Sequence, residues 1–403
     1  MIALDEALAR YLEVVEPLGT ESVPIDHALH RVLAAPAQAA VDLPAFSQTA
    51  VDGYAVRAAD TASASPDRPV ELDVAGDIPA GSTDMPNALA ASQAMRILTG
   101  APLPPESDAV VRQEHVTRNG GQITVSSPVA PGKDIRFQAE ELQRGAPLGQ
   151  AGQCVTPGLL AALAIAGVAE IQAHRCLRVS VLITGDELVP AGQPLKRGQV
   201  HDANGPLVRA WLLQNRLPEP ALRYVRDEAD EVEAALEAAF NEADFVITTG
   251  GVSVGDRDYI PKVAEQMGAE PLFWKVAQKP GKPLYFARRD GSFLLGLPGN
   301  PAAVLVGLVF HARRVLDALT GCVDPGPPLY PGRLAEELKA DRHRTRLVRA
   351  RRATGSDGVI ELHPLPRQGS HMLSNLQEAD ALVWTPAGDQ PIEAGKLLQW
   401  TPL

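Results

Sequence analysis

Apolar residues at the start of the chain recur with a period close to that of an α-helix. Leu4, Leu8, Tyr11, Leu12 and Val15 follow this spacing, and acidic residues lie between them. The pattern predicts an amphipathic helix. Because a secretory signal needs a cationic start and an uninterrupted apolar run, the same residues argue against a signal peptide.

Two further helical signals lie on either side of a β-rich segment. Asp26 is a candidate N-cap for a short helix that runs to Leu33 and ends before Pro36. Thr156 is a candidate N-cap for another helix, with Gly167 as its stop signal. We expect the two flanks to form one helical layer around an inserted domain.

Short β-prone runs, separated by proline and glycine, fill the segment between these helices. They are residues 70–74, 94–98, 109–116 and 122–125, the last following a turn at Asn119 and Gly120. This pattern predicts a small β domain.

Strands then alternate with helices along the central part of the chain. The predicted strands are 177–183, 221–225, 245–247 and 293–295, and the predicted helices are 206–213, 231–240, 260–267 and a long helix from Pro301. Such alternation is typical of a doubly wound, mainly parallel α/β sheet. After Pro328, turn-rich alternation returns and predicts a second small β domain.

The predicted fold class is therefore a multi-domain α/β and β protein. A length of 403 residues corresponds to two to four domains at roughly 150 residues each. The predicted segments are 1–43 (helical layer, first part), 44–131 (inserted β-rich domain), 132–175 (helical layer, second part), 176–325 (α/β domain) and 326–403 (C-terminal β domain).

Composition narrows the classes of partner. A formal charge of −12 argues against a broad nucleic-acid or anionic-membrane surface, and no apolar run is long enough for a transmembrane helix. Three widely spaced cysteines indicate a reducing compartment, and neither their spacing nor their number suggests a zinc site. We expect a cytoplasmic protein that acts on small molecules.

The loop after predicted strand 245–247 carries the strongest chemical signal. It contains Thr248, Thr249, Gly250, Gly251 and Ser253, followed by Asp256 and Asp258. Glycines allow backbone N–H groups to approach an anion, hydroxyls add donors, and carboxylates can hold a divalent cation that bridges to the anion. We call this segment, residues 248–258, the TTGG loop.

Other loops at strand ends have similar character, and ligands of parallel sheets bind beyond the carboxyl ends of the strands. The candidates are Asp186 and Glu187, Asp227, and the run from Pro298 through Asn300 to Pro301, where Asn300 can cap and Pro301 can open a helix. Lys275, Lys279 and Lys282 lie between the last two strands, on a chain that is acidic overall. Lysines beside carboxylates imply a hard metal such as Mg²⁺, held by Glu187, Asp227 and Asp258.

Plainer interpretations stay open for single residues. A glycine-rich loop after a strand is equally consistent with a tight turn, and Asp186 fits a role in stabilising a turn better than one as a ligand. Lys282 is also consistent with an ordinary solvated side chain.

Motifs along nearly the whole chain resemble the molybdopterin molybdenumtransferase family, also called MoeA and found as the E domain of gephyrin. The matching segments are 42–46 (DLPAF), 51–55 (VDGYA), 98–104 (LTGAPLP), 108–111 (DAVV), 184–188 (TGDEL), the TTGG loop with GDRDY, 279–283 (KPGKP), 296–301 (GLPGNP) and 369–371 (GSH).

The resemblance implies a molybdopterin-binding α/β domain, a C-terminal β barrel and a homodimer with its active site shared between subunits. The implied reaction is the Mg²⁺-dependent insertion of molybdenum from molybdate into adenylylated molybdopterin, with release of AMP. Implied protein partners are a molybdopterin adenylyltransferase and the molybdoenzyme maturation machinery.

By the same resemblance, Glu187, Asp227, Asp258 and Asp52 match catalytic positions, the first three as metal ligands. The substrate-binding positions implied are Thr99, Thr249, Gly250, Gly251, Ser253, Lys275, Lys279, Lys282, Pro298, Asn300, Pro301, Arg349 and Ser370. Asp52 and Thr99 are expected to be contributed across the subunit interface.

The chain departs from the family pattern at several positions near that expected interface. Ser47, Thr49 and Val51 replace the usual residues of the first motif, Ala139 and Glu141 stand in a segment that usually carries arginine and ends in aspartate, and Glu106 replaces a glycine. Two alternatives follow: a non-catalytic scaffold that binds the pterin or a protein partner, and a paralogue that prefers another oxyanion such as tungstate.

Overall fold

The structure, a computed structural model, describes residues 1–84, 86–217, 219–253, 255 and 258–403. Among these residues, no helix combines the length and apolar character needed to cross a membrane.

The first helix forms where the apolar period predicts it. The chain begins with α1 (Leu4–Val14), β1 (Thr20–Pro24), a 3₁₀ turn (Ile25–His27) and β2 (Ala37–Gln38). The predicted helix from Asp26 to Leu33 is wrong. Val32 and Leu33 instead form isolated β-bridges to Cys154 and Ala173, because pairing with distant residues and full burial of Leu33 outweigh the local helical preference of the segment.

The inserted unit is a mixed β sheet. It contains β3 (Gln48–Thr49), β4 (Gly53–Val56), α2 (Ala58–Thr61), β5 (Val70–Ile78), β6 (Gln93–Ile97), β7 (Ala109–Arg112), a 3₁₀ turn (Gln113–His115), β8 (Val116–Asn119), β9 (Gln122–Val125) and β10 (Ile135–Arg136). The main sheet has the order β7-β4-β6-β5-β9-β8. Strand β4 lies inside the sheet, and Gly53 is required there because a Cβ atom would lie 2.2 Å from the carbonyl oxygen of Val111.

The second flank returns beside the first one. It comprises β11 (Pro147–Gly149), α3 (Pro157–Ile165) and β12 (Glu170–His174), and β12 pairs antiparallel with β1. Thr156 caps α3 as predicted, with its hydroxyl accepting the Leu159 N–H at 3.2 Å. Val23 and Leu33 pack with Leu159 in one core, so both flanks share a hydrophobic centre.

The α/β unit is doubly wound. It contains β13 (Val179–Thr184), β14 (Leu188–Val189), β15 (Val200–His201), α4 (Asn204–Gln214), β16 (Ala221–Val225), α5 (Ala229–Glu242), β17 (Phe245–Thr249), α6 (Tyr259–Gln266), β18 (Glu270–Trp274), β19 (Gln278–Lys279), β20 (Tyr285–Arg289), β21 (Ser292–Leu297), α7 (Pro301–Val306), a π-helical segment (Gly307–Ala312) and α8 (Arg313–Leu319). The sheet order is β16-β13-β17-β21-β20-β18, parallel from β16 to β21.

Alternate side chains of the central strands pack on opposite faces of this sheet. Phe245 and Ile247 of β17 face the core built with α4, α7 and α8, whereas Val246 faces the core of α5 and α6. Helix α1 joins the first of these cores through Leu4 and Tyr11. The N-terminal helix therefore packs against the α/β unit.

The C-terminal region is a closed barrel. Its strands are β22 (Tyr330–Leu334), β23 (Thr345–Thr354), β24 (Ile360–Pro364), β25 (Ala381–Thr385) and β26 (Leu397–Pro402). They run in the order β23-β24-β22-β26-β25 and close through pairing of β25 with β23. Strand β19 of the α/β unit pairs in parallel with the first residues of β23, and this pairing joins the barrel to the loop that contains the lysines.

Candidate functional site

The carboxyl ends of β13, β17 and β21 form one continuous edge. The Gly250 N–H donates to the carbonyl of Leu297 at 2.9 Å, and the Thr184 hydroxyl donates to the carbonyl of Thr249 at 3.3 Å. We call this edge, with the loops attached to it, the rim. Backbone hydrogen bonds between strand ends hold its loops in a fixed arrangement.

The glycines of the TTGG loop allow the chain to turn at the rim. Gly250 and Gly251 have φ of +92° and +67°, and a Cβ at Gly250 would lie 2.6 Å from the Thr184 hydroxyl oxygen. Ser253 is exposed, whereas Thr249 is fully buried beneath the loop. The backbone carbonyl of Thr249 accepts the Thr184 hydroxyl, so Thr249 joins β17 to β13 at the start of the loop.

The carboxylates predicted as metal ligands lie on adjacent loops. The Asp227 N–H donates to Asp186 at 3.2 Å and the Asp186 N–H donates to Asp227 at 3.4 Å, which joins the loops after β13 and β16. Glu187 is exposed beside them. Asp258 accepts the Gly255 N–H at 2.7 Å, and Asp256 lies outside the described residues.

Among the described residues, no group of three or more His, Cys, Asp or Glu side chains is arranged to bind a metal ion by itself. The donor set still suits Mg²⁺, which is commonly held by one or two carboxylates together with substrate phosphates.

The lysines lie at the same edge of the sheet. Strand β18 runs parallel to β21, because both are antiparallel to β20, so the connection from β18 to β20 begins at the rim. We call residues 275–284 the lysine loop. Lys279 and Lys282 are exposed, and the Lys275 ammonium lies 4.5 Å from the centre of the Trp274 ring. Trp274 also donates to the Val252 carbonyl at 3.1 Å, which ties the lysine loop to the TTGG loop.

A cavity of about 170 Å³ separates the lysine loop from the barrel; Lys279, Pro280, Arg346, Leu347, Val348, Gln368 and Gly369 line it. Arg349 is only 2% exposed and donates to the carbonyls of Arg367 and Gly369. Burial lowers its pKa. Arg349 lies on the face of β23 opposite to the barrel core of Val348 and Ala350, and its hydrogen bonds hold the 367–370 segment in place.

The loop after β21 joins the α/β unit to that barrel segment. Asn300 precedes α7, yet its side chain makes no capping hydrogen bond and donates to the Ser370 hydroxyl at 3.2 Å. Asn300 occupies the N-cap position as expected, but its side-chain oxygen accepts no N–H group of the helix. Pro298 is buried and Pro301 opens α7, so both shape the backbone.

Asp52 and Thr99 form a separate pair in the inserted unit. One carboxylate oxygen of Asp52 accepts both the backbone N–H and the hydroxyl of Thr99, each at 2.7 Å. These two hydrogen bonds lower the pKa of Asp52. In the part of one chain that the structure describes, no hydrogen bond or ion pair connects this pair to the rim.

Two residues that shape the rim were missed by the sequence analysis. Asp202 is 5% exposed and accepts the Asn204 N–H at 2.8 Å and the Tyr224 hydroxyl at 2.9 Å. The Asn204 amide donates to the Gly299 carbonyl at 2.7 Å and thereby fixes the loop after β21. An acidic residue shortly before an apolar helix is a known start signal, and it could have placed the beginning of α4 correctly.

Comparison with known proteins identifies the family. Residues 2–167 match the MoeA N-terminal region (domain I and II), residues 180–318 a probable molybdopterin binding domain, and residues 331–403 the MoeA C-terminal region (domain IV). The chain belongs to the MoeA family of molybdopterin molybdenumtransferases. The resemblance inferred from the sequence is confirmed, and the family places the chain in molybdenum cofactor biosynthesis.

Individual relatives support this over the full length. The molybdopterin molybdenumtransferase of Haemophilus influenzae is 35% identical, with 100% of this chain and 98% of the relative covered. That of Bacillus subtilis is 34% identical, with 99% and 93% covered. Two crystal structures of the molybdopterin biosynthesis MoeA protein of Pyrococcus horikoshii are also similar to this chain. The first matches with a TM-score of 0.85 at 28% identity, and the match covers 100% of this chain and 99% of that structure. The second matches with a TM-score of 0.82 at 27% identity, and the match covers 100% of both chains. The predicted fold class, including the C-terminal barrel, is confirmed.

Proposed function

We propose that this chain inserts molybdenum from molybdate into adenylylated molybdopterin, in a Mg²⁺-dependent reaction that releases AMP. Full-length membership of the MoeA family supports the proposal. The observation that carries it is the meeting of the lysine loop, the TTGG loop and the loops of Glu187 and Asp227 at one edge of the α/β sheet.

The lysine loop supplies the charge that the oxyanion needs. Molybdate is a tetrahedral dianion, and ammonium groups on a chain of net charge −12 are needed to attract it. Lys279 and Lys282 are exposed on the loop. Lys275, stacked against Trp274, is held close to the TTGG loop.

The carboxylates suit the other half of the reaction. Glu187, Asp227 and Asp258 would hold Mg²⁺ together with phosphate oxygens of the substrate, and the ion would neutralise charge that develops at the phosphoanhydride. Attack of water on the phosphoanhydride breaks the P–O bond, releases AMP and leaves a phosphate on the pterin. The dithiolene sulfurs of the pterin bind the metal, so the chain needs no nucleophilic serine or cysteine.

The Asp52–Thr99 pair is proposed to complete the site of the other subunit in a homodimer. Asp52 is held ionised by Thr99, so it can accept hydrogen bonds or contact a cation. Arg349 and Ser370 are proposed to act through the 367–370 segment beside the rim. The domain limits expected from the sequence, a cytoplasmic location and contact with an adenylyltransferase or maturation proteins remain part of this proposal.

The test is reconstitution with purified protein, adenylylated molybdopterin, molybdate and Mg²⁺. We expect AMP release and active cofactor, both lost when Mg²⁺ is omitted and strongly reduced in Glu187→Gln. Glu233→Gln, an exposed carboxylate on α5, is the matched control and should retain wild-type activity. Pterin binding without AMP release by the wild-type protein would refute the enzyme and favour a scaffold.

A shifted oxyanion preference is the second candidate, and the altered residues Ser47, Glu106, Ala139 and Glu141 are its motivation. Replacing molybdate by tungstate in the same assay distinguishes a molybdate-specific enzyme from a paralogue that prefers tungstate. Faster AMP release with tungstate at equal concentration would favour the paralogue.

A further inference from the structure

A buried chain of hydrogen bonds runs from the N-terminal helix to the lysine loop. The Tyr11 hydroxyl lies 2.9 Å from Nδ1 of His311, and Nε2 of His311 lies 2.8 Å from Oε1 of Gln278. The Gln278 amide nitrogen donates to the carbonyl of Gly281 at 3.1 Å. The chain thus joins α1, the π-helical segment and the lysine loop.

The direction of every bond in this hydrogen-bond chain follows from its last acceptor, the carbonyl oxygen of Gly281. A carbonyl oxygen carries no proton, so Gln278 must donate to Gly281 through its NH₂ group and present its oxygen to His311. That oxygen needs a donor, so His311 carries its proton on Nε2. Burial lowers the pKa of His311 to about 3 and raises that of Tyr11 well above its usual value, so both stay neutral. Nδ1 is then an acceptor and Tyr11 must donate.

The same loop is also held by backbone contacts with the N-terminus. The Ala277 N–H donates to the Ile2 carbonyl at 2.7 Å, and the Ile2 N–H donates to the Lys275 carbonyl at 3.0 Å. Within the loop, the Val276 N–H donates to the Lys282 carbonyl at 3.0 Å. These contacts fix the two ends of the loop, whereas Gln278 fixes the turn that separates Lys279 from Lys282.

We propose that Tyr11, His311 and Gln278 are positioning residues that orient the lysine loop for the oxyanion. This inference depends on the proposed function for the identity of the ligand. Gln278 touches the turn directly, and Tyr11 acts through His311 by donating to Nδ1 and so holding the ring in one orientation. Without the Tyr11 hydroxyl, Nδ1 of His311 loses its hydrogen-bond partner, so the ring is no longer held in one orientation against the Gln278 oxygen and its hold on the turn weakens.

A purely structural role is the competing interpretation. Buried polar groups must find partners, and satisfied networks occur in many cores. However, apolar side chains of similar volume would fill this site with equal or greater stability, and what a directional chain adds is one defined orientation. The two interpretations predict different behaviour of the lysine loop when the hydrogen-bond chain is interrupted and the packing is kept.

Tyr11→Phe is the variant that separates them. It removes the hydroxyl and keeps the ring contacts with Phe273 and Phe286, whose centroids lie 5.4 and 4.6 Å away. We expect the ¹⁵N spectrum of His311 to keep the Nε2–H tautomer, whereas the Nδ1 resonance shifts because it has lost its hydrogen bond. Amide hydrogen exchange in residues 275–284 should become about tenfold faster, and the KM for molybdate should rise about three- to tenfold with kcat nearly unchanged.

Gln278→Met is a second variant, which keeps the side-chain length and should give the same loop exchange and KM effects. Phe293→Leu is the control, because Phe293 stacks on Phe286 at 5.6 Å in the same core but takes no part in the chain. It should lower stability and leave both loop exchange and KM at wild-type values.

Wild-type exchange in residues 275–284 for both Tyr11→Phe and Gln278→Met would overturn the proposal, as would loop effects of equal size in Phe293→Leu. Failure of the proposed function has a different signature, since a wild-type protein without AMP release still reports on His311 and on loop exchange.

Discussion

The rim of the α/β sheet and the Asp52–Thr99 pair present polar groups in different ways. At the rim, exposed lysines and carboxylates lie on loops that are held by buried side chains distant in sequence, such as His311 and Asn204. Asp52 and Thr99 hold each other, and both lie near the surface. The rim is therefore supported within the chain, whereas the pair has a defined geometry but, among the described residues, no hydrogen bond to the rim. A second subunit would supply the rim for this pair.

The strongest test of this contrast mixes two inactive variants. Lys279→Ala removes a cation from the rim and Asp52→Ala disrupts the pair, and each should lower the rate of AMP release about 100-fold or more. If the site is shared, random mixed dimers contain one intact site, so a refolded or co-expressed mixture should recover about a quarter of wild-type activity. No recovery in mixtures whose dimers are shown by mass spectrometry would contradict the shared site.

Glycine substitutions compare the backbone demands of the two regions. Gly250→Ala adds a Cβ 2.6 Å from the Thr184 hydroxyl at a φ of +92°, and we expect it to destabilise the protein by about 3 kcal/mol. Gly100→Ala, next to Thr99, meets nothing closer than 3.9 Å at a φ of +83°, so it should cost only about 1–2 kcal/mol. Urea unfolding followed by circular dichroism measures both, and equal losses would remove the distinction.

Acid stability compares one carboxylate of the α/β unit with one of the inserted unit, Asp244 with Asp134. Burial opposes ionisation of Asp244, but hydrogen bonds from Arg175 and Arg178 hold its pKa well below its usual range. A lowered pKa in the folded state means that the stabilisation is complete above the unfolded value of 3.8 and is lost as the pH falls below it. Asp244→Asn should therefore cost about 1.5–3 kcal/mol at neutral pH and flatten the acid limb of the stability curve.

The counterpart in the inserted unit is Asp134, whose pKa is lowered chiefly by a hydrogen bond from Arg112. The side chain of Arg112 is 44% exposed, so Asp134→Asn should cost less than about 1 kcal/mol. Thermal unfolding at pH 7 and below pH 4 measures the loss of unfolding free energy in each of the two variants. A larger loss for Asp134→Asn than for Asp244→Asn would show that the inserted unit depends more on its ion pair than the α/β unit does.

Local patterns predicted much of the fold. The 3.6-residue period predicted α1, the threonine cap and glycine stop predicted α3, and strand–helix alternation predicted the doubly wound sheet, because each depends on residues close together in sequence. The segment 26–33 failed for the converse reason: Val32 and Leu33 pair with residues more than a hundred positions away, and local propensity cannot register that partner.

The residue types of the site could also be found in the sequence, because glycine-rich loops, lysines and carboxylates after strands have a recognisable order. The sequence did not show which of these side chains are exposed and which are buried. Thr249 and Arg349 match the family pattern as substrate-binding residues, and the structure adds that both are buried in the single chain.

The sequence by itself determined the family, the order of the units and the loops that carry charged groups, since these follow from local pattern and motif. Only the tertiary structure decided that β18 returns the lysine loop to the edge where β13, β17 and β21 end, and that Tyr11 reaches this loop through His311. Those contacts join residues up to three hundred positions apart. They exist because burial of the two faces of the sheet brings distant side chains together, and no local pattern encodes that proximity.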